Sequence, residues 1–191
     1  MFSEKAPLYY VKAKDGKMEV YAGKDEAGKA KTIKHDYVTG RLNKIEYSES
    51  QYNNETIKAW KLYLKGESGT AVLTLSYSSG FTRSVFNSLS KADLNLPIRF
   101  GCYVKNDYNT PSLSQNGEWL KWQFPIEEVP KTSKVKVGSK EVVDDAAAVA
   151  WTEEVVKALQ AKLSQQPTQS EAAEEVFGEA PAESELDALP F

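Results

Sequence analysis

The chain has 191 residues, 41% of them hydrophobic and 27% charged, which is enough to bury a core and excludes disorder along its whole length. It contains no apolar run of the ~20 residues that a spanning helix needs, and one cysteine (Cys102) with one histidine (His35) excludes an internal disulfide and a Cys/His zinc cage. A net charge of −3 argues against nucleic acid as a single number, yet residues 1–140 carry 22 Lys+Arg against 15 Asp+Glu, and residues 141–191 carry 2 against 12.

The split is therefore +7 on the first part and −10 on the second. An asymmetry of this kind says more about partners than the total does, although a solubilising tail on an ordinary domain would produce it too. The N-terminal "MFSEKAPLYYVKAKDGK" has no apolar stretch of signal-peptide length, so a cytoplasmic protein without a membrane partner is the expectation.

In chain order, residues 1–34 form an N-terminal hairpin extension, with runs at 8–13 and 17–22 around the turn signal Asp15-Gly16. Residues 35–140 form the main domain. Its alternating runs fall at 36–47, 56–65, 70–77, 97–105 and 118–124, and "KGESGT" is a tight connection between the second and third. One segment breaks the period of two: Phe81, Val85 and Leu89 recur at helical spacing, with Ser78 or Ser79 as the cap. The order long strand, strand, strand, short helix, strand, strand predicts a mainly β fold, a five-stranded OB-type barrel with one internal helix. A small sandwich is the alternative. Gly40 inside the long first strand suits a bend at a barrel corner. Residues 141–165 form an amphipathic helix behind Asp144 and Asp145. Its narrow stripe of Trp151, Val155, Leu159 and Lys162 docks on the domain or on a second copy in a homo-oligomer. Residues 166–191, rich in Glu, Ala, Ser, Pro and Gln, read as a disordered acidic tail.

Alternation sorts the side chains of the main domain onto two faces. Leu62, Leu64, Ile98, Phe100, Cys102, Val104, Leu120, Trp122 and Phe124 fall on the apolar side. Opposite them lie Tyr37 and Arg41 in the first run, Lys61, Tyr63 and Lys65 in the second, Arg99, Tyr103 and Lys105 in the fourth, and Trp119 and Lys121 in the last. Cations interleaved with aromatics suit a single strand of nucleic acid, whose phosphates attract Lys and Arg while its unpaired bases stack on Tyr and Trp. A duplex has its bases stacked already. β-strands also carry Tyr and Lys on plain solvated faces, and the repetition over four runs is what favours binding. Tyr52 in "SESQYNNET" and Tyr108 in "KNDYNTPSLSQNGE" are loop candidates beside such a face.

The sequence closes on "ESELDALPF". Glu183, Glu185 and Asp187 precede an apolar wedge of Leu189, Pro190 and Phe191, which suits a partner pocket rimmed by basic residues. A cationic and aromatic OB-type domain over about 35–125, followed by an acidic arm with an apolar-Pro-Phe tip, resembles the single-stranded DNA-binding proteins (SSBs) of bacterial or phage type. A divergent phage-encoded member fits best, since the acids of the tip are mostly Glu and Ala188 interrupts them. The resemblance implies sequence-independent binding and protection of single-stranded DNA. It also implies recruitment of replication, recombination and repair proteins through Asp187, Leu189, Pro190 and Phe191.

Two other classes remain open at this point: a β-domain that acts as a protein–protein adaptor or inhibitor, and an RNA-binding OB domain. No enzyme is expected, and no cofactor or metal. Cys102 falls on the apolar side of its strand, no glycine-rich phosphate loop is present, and the acid pairs lie near element ends.

Overall fold

The computed structural model describes residues 7–138 and 140–165 of the chain. It is mainly β, with one curled sheet, a separate hairpin and two helices. The N-terminal hairpin pairs β1 (Leu8–Lys14) with β2 (Lys17–Lys24). Asp15 and Gly16 both take positive φ, 50° and 72°, which is the two-residue turn that matches strand twist. A third strand, β3 (Ala30–His35), continues antiparallel to β2. The main domain follows with β4 (Tyr37–Tyr52), β5 (Glu55–Lys65), β6 (Thr70–Ser76), α1 (Gly80–Leu89), β7 (Ile98–Lys105), β8 (Tyr108–Gln115) and β9 (Glu118–Trp119). The hairpin of β10 (Ser133–Val137) and β11 (Lys140–Asp144) precedes α2 (Ala146–Ser164).

The sheet has nine strands in the order β3-β2-β1-β6-β5-β4-β7-β8-β9, so the expected five-stranded barrel is corrected. Five strands of the main domain do lie side by side as β6-β5-β4-β7-β8. Closure would require β6 to meet β8. Instead β1 lies parallel on the edge of β6, with Leu8 opposite Thr70 and Val11 opposite Leu73. The β1–β2 turn then leans across to the far end of the sheet. The Gly16 amide donates to Asn109 Oδ1 at 2.9 Å, and the Cys102 thiol points at the Lys17 carbonyl at 3.3 Å. The N-terminal residues thus belong to the same sheet and occupy the place where a closing strand would have been.

The bend at Gly40 is observed. β4 pairs with β7 from Tyr37 to Gly40 and with β5 from Arg41 onward, so Gly40 is where the strand changes neighbours. A Cβ on Gly40 would lie 3.0 Å from the carbonyl carbon and Cβ of Leu64, a contact only glycine avoids. A bulge between Leu42 and Lys44 then shifts the inward set to Leu42 and Ile45.

The core lies inside the curl, where Met18, Leu42, Leu62, Leu64, Leu73, Ile98, Phe100 and Leu113 meet Val85, Phe86 and Leu89 of α1. Each such side chain contributes about 1.5–3 kcal/mol of apolar burial. Ser79 caps α1, its hydroxyl accepting the Thr82 amide at 3.1 Å. α2 docks on the domain itself: Thr152, Val155, Val156 and Leu159 are buried, and Gln160 Nε2 donates to the Ile45 carbonyl at 2.9 Å. Trp151 meets Phe124 edge-on at 5.7 Å between ring centres.

Three further expectations are corrected. The 118–124 run is a strand only at Glu118–Trp119, because Asn87 of α1 takes over the backbone of Phe124. The Asn87 side chain donates to the Phe124 carbonyl at 3.0 Å and accepts the Phe124 amide at 2.8 Å. Trp122, expected inside, is therefore exposed, as is Val104 near the end of β7. The two loops are hairpins: Asn53-Asn54 and Asn106-Asp107 turn with positive φ at both residues, and Tyr52 and Tyr108 sit on strand ends. Among the described residues, no helix is long and apolar enough to cross a membrane. The acidic tail and its tip at Asp187, Leu189, Pro190 and Phe191 lie outside the described residues.

Candidate nucleic-acid interface

Residues opposite each other in neighbouring strands share a face, so the register lays out the outer surface row by row. One row crosses Thr39, Arg99, Ser114 and Trp119; the next crosses Tyr37, Gly101 and Ser112. Three expected residues, Tyr37, Arg99 and Trp119, thereby come together around a cleft of about 270 Å³. The Arg99 guanidinium lies over the Tyr37 ring, 3.3 Å from its centre. Stacking uses the face of the guanidinium and leaves its N–H edge for an anion. Trp119 is 71% exposed, far more than a ring on the surface needs for its strand to pair.

The floor of the cleft is flat for a local reason. A Cβ at Gly101 would lie 2.9 Å from Ser112 Oγ and 3.0 Å from the Asp36 carbonyl oxygen, so besides Arg99 only the short Ser112 and Ser114 side chains rise between the tyrosine and the tryptophan. Asp36 is the cleft's carboxylate, and Lys17 Nζ donates to it at 2.5 Å. That hydrogen bond holds the Asp36 carboxyl below its ordinary range and the Lys17 ammonium above its own. A second hollow of about 510 Å³, lined by Lys17, Lys34, His35, Asp36 and Tyr37, continues the cleft on the side of β2 and β3. Lys17 and Lys34 were not singled out from the sequence. The alternation in the 17–22 run carried the signal for Lys17, whereas β3 itself was not read as a strand.

The other expected residues fall into separate groups. Tyr103 is exposed two positions beyond Gly101 on β7, opposite Thr110, and Lys105 faces Tyr108 at the end of that hairpin. Arg41 is paired with Lys65, and Lys61 with Glu46, on the β4–β5 side. Tyr63 is half-buried there and is not an open platform: its hydroxyl donates to Glu46 at 2.7 Å, and Lys44 Nζ sits 5.3 Å from its ring centre. The Glu46 hydrogen bond, with burial next, pushes the Tyr63 hydroxyl up to about 12. The same bond, followed by that from Lys44, holds the Glu46 carboxyl below its usual value. Lys121 is exposed beyond β9, outside any strand. Tyr52 lies fifteen residues along β4 from Tyr37, roughly 50 Å of strand contour, and has no part in the cleft.

The arrangement that results is chemically definite. An exposed indole on β9 and a tyrosine on β4 backed by an arginine on β7 stand around a floor of Gly101 and the short Ser112 and Ser114 side chains of the intervening β8, with Lys17 and Lys34 alongside. Flat apolar rings can stack there, and an anionic chain can run past them. Compared with protein-family models, with curated proteins and with solved structures, the chain matches none of them.

Proposed function

We propose that this protein binds single-stranded DNA without sequence preference on the outer face of its curled sheet, in the manner of an SSB. The cleft of Tyr37, Arg99 and Trp119 is the observation that carries the reading. The Trp119 ring and the guanidinium plane stacked on Tyr37 offer flat surfaces to bases of any identity, a base–aromatic stack contributing about 1–3 kcal/mol. The N–H edge of Arg99 attracts phosphates beside Lys17 and Lys34, whose ammonium groups are shared with Asp36 and Glu19. Tyr103 and Lys105 extend the track along β7, and Lys61, Lys65 and Arg41 supply charge on the β4–β5 side. The acidic 166–191 segment is the arm that recruits replication or recombination proteins through Leu189, Pro190 and Phe191, and the excess of +7 on residues 1–140 is what it would engage when no strand is bound.

The test is a titration with oligo(dT) followed by intrinsic fluorescence. Stacking on Trp119 quenches it strongly; absence of any change at micromolar protein sinks the proposal and leaves an adaptor as the better reading. Competition between oligo(dT) and oligo(U) separates DNA from RNA preference.

A further inference from the structure

A different cavity, of about 800 Å³, lies where the barrel fails to close, between β1 and β6 on one side and β8 on the other, with the start of α1 as its floor. Its lining includes Lys12 and Arg83 and, among the described residues, no carboxylate. Arg83 is only 8% exposed. Its Nη1 donates to the Ser78 carbonyl at 2.5 Å, and no carboxylate of the described residues lies within ion-pair distance of it. Asp145, at the start of α2, acts on it only from farther off. Lys12 is already engaged, sharing the buried Glu19 with Lys34 at 3.5 and 3.8 Å. A guanidinium taken out of water with no carboxylate in contact is costly, and proteins normally pair it directly.

The guanidinium sits against the first turn of α1. A Cβ on Gly80 would be 3.8 Å from Arg83 Nη2. The Ser79 hydroxyl and carbonyl take the amides of Thr82 and Arg83, while the amides of Gly80 and Phe81 belong to the helix start, where no intrahelical acceptor exists. The helix start, with its positive dipole end, thus lies beside a buried cation in the wall of the same cavity. At the mouth stands Tyr108, 76% exposed.

We propose that this cavity is a site for the phosphate group of a nucleotide. The phosphate pairs with the Arg83 guanidinium and the amides of Gly80 and Phe81, and the base rests on Tyr108. The volume suits a ligand of nucleotide size. The site is distinct from the Trp119 cleft and does not depend on strand binding there.

Amide NMR on the full chain tests it, with inorganic phosphate, thymidine 5′-monophosphate and thymidine as probes. Inorganic phosphate and the monophosphate should shift the Gly80 and Phe81 resonances saturably, and thymidine should not. Arg83→Gln should weaken the monophosphate at least tenfold. Should that variant fail to fold, Gly80→Asp carries the decision. It places a carboxylate beside Arg83 and in the first helical turn, so it should raise the melting temperature by about 2–4 °C without phosphate and abolish the phosphate response. A 5′-phosphorylated oligo(dT) that saturates the same amides below the monophosphate concentration identifies a strand end as the source; otherwise the source is a free nucleotide. Shifts that do not saturate, that thymidine reproduces, or that survive in Gly80→Asp overturn the proposal.

Discussion

Replacing Trp119 by alanine separates binding from folding unusually well. The indole is 71% exposed, belongs to a two-residue strand opposite Ser114 and Gln115, and has no place in the core cluster. Its removal should change stability by no more than about 0.5 kcal/mol. If a base stacks on it, about 1–3 kcal/mol of binding goes with it, which is roughly a 5- to 150-fold increase in Kd. Fluorescence anisotropy of a labelled oligo(dT) measures the affinity, and urea unfolding of the same variant measures stability. Trp119→Phe should fall between the two proteins. Arg99→Gln in the same cleft should weaken binding as well, and the double variant should lose less than the two single losses combined, because both side chains hold one nucleotide. A Kd for Trp119→Ala within twofold of the parent would refute the stacking argument. So would a loss that tracks unfolding.

Other consequences concern the rest of the molecule. Leu159→Ala, in the buried stripe of α2, should cost about 2–5 kcal/mol in urea unfolding and expose α2 to proteolysis; an unchanged midpoint would mean the helix is not docked. Glu46→Gln should bring the Tyr63 hydroxyl down from about 12 toward its ordinary 10, read from the phenolate absorbance during an alkaline titration. Because the folded value of Tyr63 is raised, the stability it contributes is complete below pH 10 and is lost between about 10 and 12. Glu46, with its folded value lowered, contributes above its ordinary value of 4.5 and loses that contribution as pH falls through the depressed one; the variant should lack this acid loss and show a smaller alkaline one, since burial still acts on Tyr63. Deleting residues 183–191 should tighten oligo(dT) binding at low salt and end partner recruitment, and an affinity equal to the full chain would remove the competition between arm and strand.

Alternation made much of the sheet legible. The Leu62–Leu64 and Ile98–Phe100–Cys102 sets point inward as their period of two requires, and Gly40 marks the bend in β4. Asp15-Gly16 and the Ser79 cap are local signals, and both are observed. What escaped was decided by distant contacts. β8 runs through "YNTPSLSQ", whose Pro, Asn and Ser suggest a loop; it is a strand because Asn106-Asp107 turns it back onto β7 and because Pro111 lies on a length of β8 that β9 does not pair with. The 118–124 run alternates as well as any other, yet the Asn87 amide captures its backbone. Nor could period alone show that β1 occupies the edge of β6, since a parallel pairing between residues some sixty positions apart leaves no local trace. For the site, outward placement of Tyr37, Arg99 and Trp119 was readable, while their convergence needed the order of β4, β7, β8 and β9. Tyr63 shows the opposite limit: its outward register was readable, but Glu46 and Lys44 close over it.

The central claim is that the outer face holds a single strand by stacking and by phosphate neutralisation together. Oligo(dT) titration of the full chain, followed by intrinsic fluorescence at a series of salt concentrations, tests both halves at once. With four to six phosphates neutralised, the account expects strong quenching and a log–log salt slope of about −3 to −4. Quenching that is absent, or a slope near zero, would contradict it.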